Sequence, residues 1–387
     1  MKITSVQSHV LQYDLKEELG YSQQYYQKRS AHLVEVSTDE GITGWGECFG
    51  PGNVAIANKV IVERVIQPMI LGEDPLNRDV LWHKVYNLLR DHGQKGMPIQ
   101  AISGVDIALW DIVGKATGLS ISKLIGGRFR EQVSVYGYGM MLRREGLDSL
   151  ISRFVDEAAE IKSAGFAATK MKVGLGPKQD VQLTEAVRQG VGDDFQFMVD
   201  ANHCYTTDQA LYVGRALEEL DAYWFEEPVA PEDLDGYREL RAQLKINIAG
   251  GEAEFTRWGW RHLLEKRCVD IAQPEVCALG GISEYLRVLA LAQAHFTQVI
   301  NHVWGSAVAV ATNLQLLAAI PSLPGGLHPQ EPMLEFDTTD NKFRDDLLIE
   351  PLNIQQQVAY KKGYVEIPDR PGHGAEPNLE FIKCFEI

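Results

Sequence analysis

Acidic side chains recur at equal intervals in the second half of this 387-residue sequence, each near the end of a short apolar run. Asp200, Glu226 and Glu252 follow one another at intervals of 26 residues. Three carboxylates that meet at one point repel one another by several kcal/mol at an effective dielectric of about 20. A divalent cation removes this repulsion, and an all-oxygen donor set suits Mg²⁺ or Mn²⁺. We therefore predict a metal site at these three residues. Glu227 is expected beside the site and not as a ligand, because neighbouring strand residues face opposite sides.

Basic residues end other apolar runs of the same series. Lys170 and Lys172 are two positions apart, which places both on one face of a strand. A lysine that acts as a general base needs its pKa lowered from about 10.4 to about 7–8, and a positive charge nearby shifts it in that direction. His302 ends a later run, and Glu275 is placed to hold its imidazole and raise its basicity. The pattern predicts two acid/base groups, facing each other across the metal.

Each of these residues also has an ordinary structural interpretation. Single acidic residues at strand ends are more often solvated, or cap the next helix, than bind a metal. Paired lysines are commonly surface residues, and a lone histidine in an apolar run is usually a core residue with its hydrogen bonds satisfied. The joint occurrence of three carboxylates in register, a lysine pair and a histidine favours an active site.

The runs that carry these residues alternate with helical patterns from residue 132 onwards, for instance 147–164, 209–220 and 281–294. Strand, crossover helix and parallel strand, repeated about eight times, predict a closed α/β barrel, with its active site at the C-terminal ends of the strands. A doubly wound open sheet is the alternative, but no glycine-rich phosphate loop is present. The predicted strands are 133–138, 168–173, 195–200, 222–227, 246–251, 269–273, 299–303 and 333–336.

Residues 1–125 lack this regular alternation and are predicted to form a separate domain, followed by the barrel over 126–354. Predicted strands at 3–11, 31–36 and 42–47 precede helices at 54–70, 80–90 and 101–117. Residues 14–30 are polar and aromatic without any period, which predicts a long loop such as a lid. The tail contains a strand pattern at 363–368 that is predicted to return to the first domain.

The composition excludes several classes of protein. Apolar residues make up 45% and charged residues 23%, which is typical of a folded globular chain and excludes general disorder. The 53 acidic and 37 basic residues give a charge of −16, which disfavours nucleic acid as a partner. No apolar run reaches the ~20 residues of a membrane span, and the start has no signal-peptide core. The five cysteines form no close pair, so we expect reduced thiols and a cytoplasmic protein that binds no membrane.

Short motifs carry a resemblance to a known family over nearly the whole chain. In the first domain they are Gly44-Trp45-Gly46-Glu47 and the segment 106–112; in the barrel they are Lys170-Met171-Lys172, Asp200-Ala201-Asn202-His203, 224–228, Gly250-Gly251-Glu252, Gln273-Pro274-Glu275 and His302-Val303-Trp304-Gly305. In this order and spacing they resemble the enolase superfamily, in its mandelate racemase subgroup. The resemblance implies an α/β fold: a (β/α)₇β TIM-like barrel with an N-terminal α+β capping domain, completed by the C-terminal segment 355–387.

The resemblance also implies catalytic roles. Asp200, Glu226 and Glu252 are expected to bind Mg²⁺. The two acid/base residues are expected to be Lys172 and His302, while Lys170 is expected beside the substrate carboxylate. Glu275 departs from the family pattern, because the partner of this histidine is normally aspartate. Its extra methylene is expected to shift the imidazole.

Substrate contacts are implied on both domains. Two cap segments, about 14–30 and 48–55, are expected to cover the site and select the substrate. The residues expected to contact the substrate are Asn202 and Glu335 in the barrel, and Tyr21, Gln23, Tyr25 and Tyr26 in the first cap segment. The partner is then a small acid sugar or sugar lactone, and the protein is expected to be a homo-oligomer.

The implied chemistry begins with removal of the proton α to a carboxylate, which gives an enediolate. Loss of a β substituent, or opening of a lactone ring, then yields a 3-deoxy-2-keto acid. The likeness is strongest to members that act on acid sugars and their lactones; dehydration of an open-chain aldonate or aldarate and racemisation or epimerisation of a 2-hydroxy acid are the alternatives. Muconate-lactonising enzymes and dipeptide epimerases are disfavoured, because they carry a lysine where this chain has Gln273-Pro274-Glu275.

Two further classes stay open from the residues alone. A metal-free barrel that forms a Schiff base with one lysine leaves the three carboxylates without a role. A binding or structural protein that retains the fold without catalysis leaves the polar motif set without a role.

Overall fold

The computed structural model describes residues 1–322 and 325–387. The first domain is an antiparallel three-stranded sheet packed against helices, with α4 lying along β3. Glycines make this contact close, because a Cβ on Gly46 would lie 2.0 Å from the carbonyl oxygen of Gly104. The elements are β1 (Ile3–Tyr21), β2 (Gln24–Thr38), β3 (Thr43–Cys48), α1 (Val54–Ile61), a π-helical turn (Val62–Ile66), α2 (Gln67–Ile70), α3 (Arg78–Leu89), α4 (Met97–Thr117) and α5 (Ile121–Leu124).

The second domain is a barrel of eight parallel strands, which confirms the predicted fold class. The strands are β4 (Gln132–Met140), β5 (Ala168–Lys172), β6 (Gln196–Asp200), β7 (Trp224–Glu226), β8 (Asn247–Gly250), β9 (Ile271–Ala272), β10 (Gln298–Val299) and β11 (Met333–Asp337). Each pairs with the next in sequence from β4 to β10, and β11 returns to pair with β4. At the remaining seam, the backbone N–H of Val303 donates to the Glu335 carboxylate at 2.8 Å.

In the part of the chain that the structure describes, seven helices connect the barrel strands and cover the outside: α6 (Leu147–Ser163), α7 (Pro177–Val191), α8 (Thr207–Glu219), α9 (Leu234–Gln243), α10 (Thr256–Glu265), α11 (Gly281–Ala294) and α12 (Ala307–Ala319). Their sequences explain their packing. In α6, Leu150, Phe154 and Ala158 recur every four residues and are buried as one stripe. In α8, Thr206 and Gln209 form a capping box at the first turn.

Alternation along the barrel strands separates an apolar interior layer from a polar one. The apolar layer is a buried cluster with one residue from each strand or the residue directly after it: Tyr136, Ala168, Met198, Trp224, Ala249, Ile271, Ile300 and Met333. Residues two positions further along a strand share its face. In four strands these are Lys170, Asp200, Glu226 and Glu335, so the polar cluster lies directly on top of a packed apolar floor.

Residues 14–30 form a β-hairpin, so the loop predicted for this segment was wrong. β1 and β2 pair as far as Tyr21 and Gln24, with an irregularity between Asp14 and Leu19. Gly20 also bridges to Leu142, which ties the hairpin to the barrel. The segment shows no simple period because its strand is irregular and one face of the hairpin meets the barrel.

The tail divides between the two domains. Beyond α13 (Lys342–Asp345), the elements are α14 (Ile354–Tyr360), β12 (Tyr364–Glu366) and α15 (Leu379–Phe385). β12 pairs antiparallel with barrel strand β4, so the predicted strand exists but does not return to the first domain. Its central residue, Val365, packs into the barrel core, which accounts for this pairing. Helix α15 contacts β1 of the cap.

Two predictions from composition can be compared with the structure. All five cysteines are free. Among the described residues, 1–322 and 325–387, no helix is both long enough and apolar enough to cross a membrane.

Candidate active site

Three carboxylates converge at the C-terminal ends of β6, β7 and β8. Asp200, Glu226 and Glu252 each present an oxygen within 4.8 Å of the others. Asp200 and Glu226 are fully buried, and crowding of the negative charges adds to burial in raising the pKa of Glu226 to about 8. The pKa of Glu252 is raised to about 7, mainly by its burial. The arrangement is a concentrated negative charge that a divalent cation would relieve.

The donor chemistry of this cluster suits Mg²⁺. All three groups offer oxygen, and within residues 1–322 and 325–387 no cysteine or histidine belongs to the cluster. Asn202 Oδ1, beside the cluster, is buried without a hydrogen-bond partner among the described residues. Glu252 Oε2 makes no hydrogen bond there either, although His302 Nε2 lies 3.1 Å from it. Oxygens without a donor, on and beside three crowded carboxylates, are what a hard cation requires of its site.

Lys170 lies beneath the carboxylates. Its ammonium contacts Glu226 and Glu335, each at 2.6 Å, and lies 3.7 Å from Asp200. Only 1% of the residue is exposed, and it does not line the cavity described below. Lys170 and Glu335 thus form an ion pair beneath the carboxylate cluster. The role of Lys170 beside the substrate carboxylate stays a prediction.

Lys172 is nearer the cavity, where its ammonium donates to Asp200. We expected the two lysines to lower each other's pKa, but the pKa of both is raised in the structure. Burial acts to lower the pKa of each, and for Lys170 the carboxylates of Glu226 and Glu335 outweigh it. For Lys172, burial is again the largest single effect, and the carboxylates of Asp200, Glu252 and Glu226 together outweigh it and the charge of Lys170. The charge of Lys170 does lower the pKa of Lys172, as predicted, but the prediction left out the carboxylates that surround both lysines.

His302 and Glu275 form the predicted pair across the site. His302 Nδ1 lies 2.8 Å from Glu275 Oε2, and the other oxygen of Glu275 accepts the backbone N–H of Cys277. His302 Nε2 lies 3.1 Å from Glu252. Burial acts to lower the pKa of His302, but the carboxylates, led by Glu252, raise it to about 10. Glutamate in place of aspartate thus still reaches the imidazole.

A cavity of about 720 Å³ separates the cap from the barrel ends. The barrel contributes Lys172, Asn202, Glu252 and His302 to its wall. Residues from the cap hairpin, including Tyr21, Gln24, Tyr26 and Arg29, close the opposite side. The predicted acid/base residues and one metal-ligand candidate therefore open into a single chamber.

Two of the predicted cap contacts do not line this cavity. In the hairpin, side chains alternate between faces, so Tyr21 and its partner Gln24 face the cavity with Tyr26. Tyr25 lies on the other face, where the Arg144 guanidinium stacks 4.2 Å from its ring centroid. Gln23 donates from its side chain to the backbone carbonyl of Asn202, which makes it a tether of the hairpin tip.

Sequence reasoning missed a second link between the cap and the site. Glu47, at the end of β3, accepts hydrogen bonds from the backbone N–H groups of Ser306 and Ala309 and from the Ser306 hydroxyl, at 2.6–3.0 Å. These groups begin helix α12, directly after the loop that carries His302. Phe49 N–H donates to the carbonyl of Cys277, beside Glu275. The cap thus holds both loops of the histidine pair.

Replacing Glu47 with alanine is expected to destabilise the protein by roughly 2–4 kcal/mol, because buried N–H groups lose their acceptor. Chemical denaturation monitored by fluorescence measures this. Glu47→Gln keeps one acceptor oxygen and is expected to lose less. Alanine at the exposed Glu185 is the matched control, and equal stability of the Glu47 and Glu185 variants would contradict the assigned contact.

With this geometry in place, sequence comparison identifies the family. Residues 14–126 match the family "Mandelate racemase / muconate lactonizing enzyme, N-terminal domain", and residues 153–381 match "Enolase C-terminal domain-like". The chain belongs to the enolase superfamily, in its mandelate racemase subgroup. It is accordingly a magnesium-dependent lyase or isomerase of that superfamily.

Curated relatives with this architecture include acid-sugar enzymes. The chain is 41% identical to D-galactarolactone cycloisomerase of Agrobacterium fabrum, over 100% of this chain and 99% of the relative. It is 35% identical to arabinonate dehydratase of Saccharolobus solfataricus, over 88% and 86% of the two chains.

Solved structures give the same result. The 3,6-anhydro-D-galactonate cycloisomerase of Zobellia galactanivorans superposes with a TM-score of 0.88 at 34% identity, covering 100% of both chains. A racemase from Streptomyces coelicolor, solved with bound magnesium, covers 100% of both chains at 28% identity with a TM-score of 0.87.

Proposed function

We propose that this protein removes the proton α to the carboxylate of an acid sugar or its lactone, and then eliminates the β oxygen or opens the ring to give a 3-deoxy-2-keto acid. The observation that carries the proposal is one cavity in which Lys172 and His302 stand on two sides of the carboxylate cluster. The 41% identity to a galactarolactone cycloisomerase supports an acid sugar as the substrate class.

In this proposal Lys172 and His302 exchange protons with the α carbon from opposite faces. His302 offers Nε2, since Nδ1 is taken up by Glu275. Mg²⁺ held by Asp200, Glu226 and Glu252 would supply positive charge next to the carboxylate oxygens on which negative charge develops. Lys170 adds a fixed positive charge beneath the same cluster.

The cavity also suits an anionic substrate in an acidic protein. A chain of charge −16 repels anions at long range, so attraction has to be local. Lys172, His302 and Arg29 bring cationic or protonatable groups to the cavity wall. Each of these groups is already paired with a carboxylate: Arg29 with Asp337, Lys172 with Asp200 and His302 with Glu252. A divalent cation held by the carboxylate cluster would therefore supply the principal local attraction.

Incubation with Mg²⁺ in D₂O tests the proposal directly. The panel comprises aldonates, aldarates, their lactones and 3,6-anhydrogalactonate, followed by NMR for α-deuterium and for keto acid. We expect deuterium at the α carbon and keto-acid formation from at least one member. Absence of exchange with every acid sugar would refute the substrate class, and exchange without keto acid would indicate a racemase or epimerase instead.

A further inference from the structure

A second histidine–carboxylate pair faces the active-site cavity. His203 Nδ1 lies 3.1 Å from Glu227 Oε2, and Glu227 is almost fully buried. The His203 side chain lines the cavity and is 28% exposed, while its Nε2 has no hydrogen-bond partner within the part of the chain that the structure describes. The pair repeats the arrangement of His302 and Glu275, in which a buried glutamate also holds Nδ1.

The backbone that carries this pair is held in an unfavourable conformation. Asn202, His203 and Glu227 all have positive φ angles, 41°, 57° and 40°, and none is glycine. A side chain in this left-handed region is strained and persists where the surroundings enforce it, most often at functional sites. The His203 N–H donates to the Glu227 carbonyl at 2.6 Å. This hydrogen bond joins the strained turn after β6 to the strained turn after β7.

The cap hairpin closes over the same turn. Ser22 and Gln23, at the tip of the hairpin, both donate from their side chains to the Asn202 carbonyl at 2.9 Å. His203 is therefore enclosed between the hairpin and the carboxylate cluster, on the arc of the barrel between Lys172 and His302. No step of the proposed α-proton transfer uses it.

We propose that His203, oriented by Glu227, is the proton donor to the oxygen that leaves the β carbon. The inference rests on the proposed function, because it assigns a residue to its second step. The α proton moves to Lys172 or His302, and the electron pair it leaves forms the double bond between the α and β carbons. The carbon–oxygen bond breaks, the Nε2 proton of the His203 imidazolium moves to the departing oxygen, and solvent later returns a proton to the imidazole. The resulting enol becomes the 2-keto acid.

This role narrows the substrate class. A hydroxyl or a ring-ether oxygen leaves poorly unless it is protonated as the bond breaks. A lactone ring oxygen leaves as a carboxylate, a stable anion that needs no such proton. A proton donor at His203 therefore assigns the protein an acid sugar whose β oxygen is a hydroxyl or part of a ring ether.

The test compares His203→Asn with the unaltered protein, both with Mg²⁺ in D₂O, on open-chain acids, 3,6-anhydrogalactonate and lactones. We expect keto-acid formation from the hydroxyl or ether substrate to fall by about 10²–10⁴-fold. Exchange of the α proton is expected to persist, because the groups that remove it are intact. Glu227→Gln keeps an acceptor for Nδ1 but removes its charge, and is expected to lower product formation less.

Persisting α exchange also shows that the variant is folded, and asparagine at the exposed His262 is the matched control. Equal loss of exchange and product in His203→Asn would overturn the role of His203. So would conversion of lactones alone by the unaltered protein, since no hydroxide or alkoxide then leaves. Failure of the proposed function is a different result, namely no exchange by the unaltered protein on any member of the panel.

Discussion

Replacing Lys172 with methionine is expected to lower keto-acid formation by about 10²–10⁴-fold, the contribution typical of a positioned acid or base. Lys172 is the lysine that lines the cavity, whereas the ammonium of Lys170 is enclosed by Glu226 and Glu335. Methionine has a similar length but carries no exchangeable proton. Steady-state formation of keto acid measures the loss.

His302→Asn provides the complementary variant. If the two groups serve opposite faces of the α carbon, one single variant retains exchange of the α hydrogen with D₂O while forming little product, and the double variant loses exchange as well. Lys178, an exposed lysine of α7, is the site of the matched methionine control. Normal turnover by Lys172→Met would show that another residue moves the proton.

Much of the barrel could be predicted because apolar runs and helical patterns alternate visibly along the sequence. A parallel strand enclosed on both sides gives an apolar run, and a charge at the end of such a run is conspicuous. Lys172, Asp200 and Glu226 were placed in this way, and the structure brings their side chains together. Because neighbouring strand residues face opposite sides, Glu226 was predicted as a metal ligand and its neighbour Glu227 was not. Of these two, Glu226 is the one among the three converging carboxylates.

Contacts between distant segments could not be predicted in the same way. Glu47 lies more than 250 residues before Ser306. No local pattern indicates that a carboxylate of the cap accepts hydrogen bonds from the first turn of a barrel helix. His203 was part of a motif, but its role depends on Glu227, which the turn after β7 brings to it. The hairpin at 14–30 was missed because the irregular pairing and contact with the barrel removed the alternation by which strands are recognised.

The raised pKa values of the lysines illustrate the same limit. The spacing places two ammonium groups on one face of a strand. Whether their pKa values rise or fall depends on how many carboxylates surround them. Lys170 has Glu226 and Glu335 at 2.6 Å, and Lys172 donates to Asp200. Glu335 reaches Lys170 because β11 closes the barrel against β4, a pairing between residues about 200 positions apart.

Glu226→Gln is expected to weaken Mg²⁺ binding by about 10²-fold or more, since removing one charge from the cluster takes away several kcal/mol of attraction at an effective dielectric near 20. Titration calorimetry with Mg²⁺, or the electron paramagnetic resonance of bound Mn²⁺, measures this without reference to turnover. Stability is also expected to fall, because Glu226 accepts from Trp224 and Gln273 on one oxygen and from Lys170 on the other. A neutral amide must turn its NH₂ toward one of these donors.

Glu227→Gln is the matched control, because it makes the same change one residue along the chain. Glu227 points to His203 rather than into the carboxylate cluster, so its variant is expected to lose much less metal affinity than Glu226→Gln, although its charge does act on Glu252. The same variant is expected to slow departure of the β oxygen, which separates holding the cation from delivering the proton. Equal loss of metal affinity in both variants would place Glu227 in the ion's coordination sphere and remove the distinction on which the site assignment depends.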